Sequence, residues 1–78
     1  MLRLKLISNT QSEAVYNYFP EQGKEYGTIS ISIATGEQDV RKLAPGDEHR
    51  RYLSHAVTRT EKYFAEKIFP DSDVVAWY

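Results

Sequence analysis

The stretch from Pro45 to Pro70 constrains this chain more than any other. At about 100° per residue, Leu53, Ala56, Val57, Thr60, Phe64 and Lys67 fall in one stripe, flanked by Tyr52, Tyr63 and Ile68. That spacing predicts one amphipathic helix over residues 48–68, about 31 Å long at 1.5 Å per residue. Pro45-Gly46-Asp47 reads as the turn into it, with Asp47 as the N-cap and Glu48 favourable in the first turn. A helix with one apolar stripe needs a single partner layer, and the rest of the chain must supply it.

The remaining segments alternate with period two. Residues 2–7 place Leu2, Leu4 and Leu6 on one face and Arg3 and Lys5 on the other; residues 13–19 form a second strand. Residues 26–33 are the clearest, with Ile29, Ile31 and Ile33 alternating with Thr28, Ser30 and Ser32. Thr35-Gly36 marks a hairpin, residues 38–43 a fourth strand and residues 74–78 a last one. Register follows from which polar group would otherwise be buried. An odd first hairpin loop pairs Leu4 with Tyr16 and Leu2 with Tyr18, whereas an even one puts the Asn17 amide in the core, at about 1–3 kcal/mol. An even loop at Thr35-Gly36 pairs Ile31 with Val40. The expected core face therefore carries the three leucines, Tyr16, Tyr18, the three isoleucines and Val40. The opposite face, with Arg3, Lys5, Val15, Asn17, Thr28, Ser30, Ser32 and Arg41, has the pattern of a solvated sheet face.

Strand direction fixes the topology. Four meandering strands alternate up and down, the helix returns, and the fifth strand pairs antiparallel beside the first. The expectation is a single α+β domain over residues 1–78. Its order is β-β-β-β-α-β, with an antiparallel sheet ordered 5-1-2-3-4 and one long helix packed on one face. A 31 Å helix over a strand of about 23 Å lies diagonally or overhangs. With 78 residues and no cysteine the core is thin and unstapled, and six Tyr, three Phe and one Trp are one way to fill it. The N-terminal run is too short and polar for a signal peptide and no apolar run is long enough to cross a bilayer, so a cytoplasmic domain without membrane contact is expected.

Motifs for chemistry are missing. His49 and His55, six residues apart, point about 240° apart on a helix and cannot share a metal. There is no G-x-S-x-G, no G-x-G-x-x-G and no P-loop, and the acids are scattered. The expectation is a non-enzymatic protein with no cofactor and no metal, acting through protein contact and able to form a homodimer. Its candidate interface residues are Tyr52, Tyr63, Phe69, Trp77 and Tyr78, aromatics beside the helix stripe or near the end of the chain. The alternative is a nucleic-acid accessory protein with candidate phosphate contacts at Arg51, His55, Arg59 and Lys62, which share one helix face. A small enzyme is a third reading. Residues 47–69 carry five Lys or Arg and four Asp or Glu, a net +1, and the whole chain −1, so nucleic acid is the lesser expectation.

Four segments, Leu4-Lys5-Leu6-Ile7, Tyr16-Asn17-Tyr18-Phe19-Pro20-Glu21, Thr35-Gly36-Glu37 and Val75-Ala76-Trp77-Tyr78, together resemble small uncharacterised single-domain proteins of Gram-positive bacteria. The resemblance spans nearly the whole chain and transfers no catalytic or binding residue. It implies a bacterial cytosolic setting.

Overall fold

A computed structural model describes residues 1–21 and 23–76. Five strands and one helix follow in the order β1 (Leu2–Asn9), β2 (Glu13–Pro20), β3 (Gly27–Ser32), β4 (Gln38–Lys42), α1 (Arg51–Glu66) and β5 (Ser72–Val75). They form one antiparallel sheet ordered β4-β3-β2-β1-β5, with α1 packed on one face, as the alternation and the strand directions require. Trp77 and Tyr78, expected to end the last strand, lie outside the described residues.

The core is where the two periodicities meet. Leu2, Leu4, Tyr16, Tyr18, Ile29 and Ile31 come from the sheet, and Leu53, Ala56, Thr60 and Tyr63 from the helix; all are buried. Tyr16 and Tyr18 are fully buried, and each hydroxyl is satisfied. That of Tyr16 donates to the Pro70 carbonyl at 2.7 Å, and that of Tyr18 accepts the Ala44 amide at 2.9 Å. Two tyrosines can fill a thin core only because backbone groups meet their polar ends.

The first hairpin reaches the expected faces by a different route. Leu4 pairs with Tyr18 and Leu6 with Tyr16, two residues off the expected partners. The register then shifts between Leu6 and Ser8, so that Ser8 pairs with Val15 and Asn9 with Ala14. The loop between Asn9 and Ala14 is even, and the bulge at Ile7 restores the parity that an odd loop would have given. The second hairpin is also displaced by two: Ile31 pairs with Gln38 and Ile29 with Val40. A bulge at Arg41 then places Lys42 opposite Thr28.

Three further expectations are corrected. Val40 is on the helix side of the sheet but 44% exposed, because α1 lies over the other four strands; β4 meets the helix through Gln38, whose amide donates to the Val57 carbonyl at 3.1 Å and accepts from the Thr60 hydroxyl at 3.0 Å. The helix is 16 residues long, about 24 Å, and so matches an eight-residue strand without overhang. It starts late because Arg50 takes a left-handed conformation (φ 56°) after consecutive turns, and it ends at Lys67 (φ 59°). There the Ile68 amide returns to the Tyr63 carbonyl in a Schellman pattern. Asp47 still caps the helix from outside. Its carboxylate accepts the amides of Tyr52 at 3.1 Å and Leu53 at 2.9 Å, the second and third helical residues.

The third correction concerns the uncovered face. Val15 and Ser30 are buried there, at 4% and 5% exposure. Arg41 on β4 donates to Glu13 on β2 at 2.7 Å, and β3 runs between those strands, so the Arg41 side chain crosses β3 near Ser30. A partly exposed cross-strand ion pair lies over the centre of that half of the face.

Candidate functional site

Because one helix covers one face, the other face is the broadest surface built from regular structure. Its two ends differ. At the end where β1 begins and β2 finishes, Arg3 pairs directly with Phe19 and stacks its guanidinium 4.5 Å from the ring centre. Phe19 meets Tyr26 at 5.5 Å between centroids, and Lys42 places its ammonium 4.2 Å from the Tyr26 ring. Cation, ring, ring and cation thus run across the sheet, each cation attracted to the electron-rich face of its ring. Lys5, Val74 and Tyr26 add exposed positive charge and apolar surface; Val74 is 51% exposed and Tyr26 37%. Register places them together: Val74 pairs with Arg3, and Lys5 with Asn17.

At the opposite end the same face dips into an open depression of about 410 Å³, bordered by Ser12, Glu13, Ser30, Ser32, Glu37, Asp39 and Arg41. Three carboxylates and one guanidinium line it. Arg41 is held by Glu13 at 2.7 Å and lies 4.0 Å from Asp39, whose side chain is 76% exposed. The face is therefore polarised along the strands, with Arg3, Lys5 and Lys42 at one end and Glu13, Glu37 and Asp39 at the other.

The residues singled out from sequence are scattered over other parts of the molecule. Tyr63 is buried at 4% exposure and packs on Tyr16 at 5.4 Å between ring centres. Tyr52 is half-buried and donates its hydroxyl to Glu21 at 2.8 Å, and Phe69 is half-buried against the core. Trp77 and Tyr78 lie outside the described residues. Of the candidate phosphate contacts on the helix, Arg51 and Lys62 are exposed and His55 is half-buried, whereas Arg59 donates to Asp73 at 2.9 Å. Among the described residues no group of three His, Asp or Glu is placed to hold a metal ion.

Asp73 also accepts the Tyr63 hydroxyl at 2.5 Å. Burial opposes its ionisation, but the bonds from Tyr63, the Val74 amide and Arg59 outweigh that and hold the carboxyl below its ordinary range. Burial first, and then the bond to Asp73, pushes the Tyr63 phenol well above its ordinary value. Burial does the same to Tyr16. Tyr63 and Arg59, both bonded to Asp73, fasten β5 to the helix.

The strip on the uncovered face was within reach of the alternation. The period that turns Thr28 and Ser30 outward also turns Tyr26 outward, and Phe19 shares parity with Val15 and Asn17. Lys42 could not be placed this way, because only the bulge at Arg41 brings it to the uncovered face.

No protein-family model, curated protein or solved structure matches this chain. The functional reading therefore rests on the geometry of the molecule.

Proposed function

We propose that this protein is a non-enzymatic binding module of the bacterial cytoplasm that works by protein contact, and that the uncovered sheet face is its contact surface. The polarised face carries this reading: cations and aromatic rings at one end and carboxylates at the other, on a rigid antiparallel sheet. Aromatic and arginine side chains set among polar groups suit a surface that is wet when free and dry when bound.

Against catalysis stands the composition of the depression. Its hydroxyls, Ser12, Ser30 and Ser32, have no histidine or cysteine among the lining residues, and of the three carboxylates beside them Glu13 is engaged by Arg41 at 2.7 Å. Against nucleic acid stand the carboxylates on the same face, which repel phosphate, and the rings, which are covered by their own cations and inclined at 47° to each other. The helix face with Arg51, His55, Arg59 and Lys62 is the weaker nucleic-acid surface, since Arg59 is engaged by Asp73.

Site-specific photo-crosslinking in cells tests the proposal. A photoreactive residue replacing Ser8, exposed on the uncovered face, is expected to form adducts with polypeptide; the same residue replacing Lys62 on the helix is expected to form none. Nucleic-acid adducts from the Ser8 position, or equal adduct yields from both positions, would overturn it.

A further inference from the structure

We infer that the partner taken by this face is a second copy of the chain, stacked face to face, with the cation–ring end of each copy over the carboxylate end of the other. The inference rests on reading the uncovered face as a contact surface. A two-fold axis lying between the faces and across the strands reverses strand direction while keeping each strand over its own counterpart. Such an axis brings the two ends of a polarised face together twice.

Lys42 and Asp39 show this most simply. Both are on β4 and both face away from the helix, since Lys42 pairs with Thr28 and Asp39 with Ser30 on β3. The axis keeps β4 over β4, so Lys42 of one copy meets Asp39 of the other, and the reciprocal contact forms as well. Around these pairs, Lys5 and Arg3 approach the end that holds Glu13 and Glu37. A two-fold axis along the strands would instead lay β4 over β5 and bring the two cationic ends together and the two carboxylate ends together. Charge therefore selects one orientation and rejects the other. Tyr26 and Val74, more than a third exposed in the single chain, gain cover in the pair.

Five strands at about 4.8 Å spacing and about 20 Å long give a footprint of roughly 480 Å² per copy. That is small beside the roughly 800 Å² per partner of a standard stable complex, so the pair is weak, concentration-dependent and sensitive to salt.

The test is sedimentation equilibrium over a concentration series reaching the millimolar range. The native chain is expected to dimerise, with association weakened about tenfold by raising salt from roughly 0.05 to 0.5 M. Lys42→Glu alone and Asp39→Lys alone are each expected to weaken association about tenfold, because each change replaces two attractions by two repulsions. Mixing the two single variants, or combining both changes in one chain, restores it. That rescue cannot come from a general loss of folding. A chain that stays monomeric throughout, or a dimer indifferent to these changes, would overturn the inference. The two readings fail separately: crosslinks from the Ser8 position to a polypeptide of different mass leave the contact face standing and remove the second copy.

Discussion

Tyr63 donates its hydroxyl to Asp73 at 2.5 Å, and this single contact ties the last turns of the helix to the fifth strand. Arg59 reaches the same carboxylate oxygen from one helical turn earlier, at 2.9 Å. The fifth strand has only four residues and pairs with β1 over Leu2 to Lys5, so these side-chain bonds are a large part of what holds it.

Stability should therefore fall in acid through Asp73. Its carboxyl is held below the ordinary value of about 3.9 in the folded chain, so the unfolded chain takes up the proton first. The stabilisation is present above about pH 4 and is lost as pH drops through the folded value. Urea denaturation as a function of pH is expected to show that acid limb, and Asp73→Asn to flatten it. Tyr63→Phe should cost about 1–3 kcal/mol at neutral pH and less at low pH.

The alkaline limb has the opposite sign. Burial raises the phenols of Tyr16 and Tyr63 above the ordinary value of about 10, so the unfolded chain ionises first as pH rises. Stability from these groups is complete below about pH 10 and declines above it. In a spectrophotometric titration neither should ionise in the reversible first phase; both should appear together with cooperative unfolding.

Asp47 is 3% exposed and accepts two helix amides, with the Tyr18 hydroxyl 3.4 Å away. Asp47→Ala strands those donors and removes the helix cap, at an expected cost of about 2–4 kcal/mol in urea denaturation. Asp47→Asn keeps one acceptor and should recover part of the loss.

Gly27 has no room for a side chain. A Cβ there would lie 2.2 Å from the Tyr18 ring, which is buried and held at its hydroxyl by the Ala44 amide. Gly27→Ala is expected to cost about 1–3 kcal/mol through overpacking and to lower Tm by roughly 5–20 °C. The near-ultraviolet circular dichroism of the tyrosines should change with it.

The strands, their order and the side covered by the helix were legible because all three follow from period and direction. Leu2, Leu4, Tyr16 and Tyr18 were assigned to the core from parity alone. Pairing partners were not legible. Bulges at Ile7 and Arg41 each move the register by one residue, and neither position carries a glycine or proline to announce it. The helix start was misplaced because Asp47 has the chemistry of a cap without the adjacent position, the chain needing one further turn through Arg50. The uncovered face looked solvated because alternation records polarity and says nothing of lateral contacts; Arg41 crossing to Glu13 and Arg3 lying on Phe19 join residues 28 and 16 positions apart in sequence. The surface now proposed for function is thus visible only once the sheet is assembled.

The most direct measurement of the central claim is intermolecular paramagnetic relaxation. The chain has no cysteine, so Ser8→Cys gives one site for a spin label on the uncovered face. Mixed with unlabelled, isotopically enriched chain, it should broaden amides of β1 and β2, most strongly around Lys5 and Asn17, and spare α1. Broadening centred on the helix, or none at the highest concentration, would contradict the proposed pairing through the uncovered face.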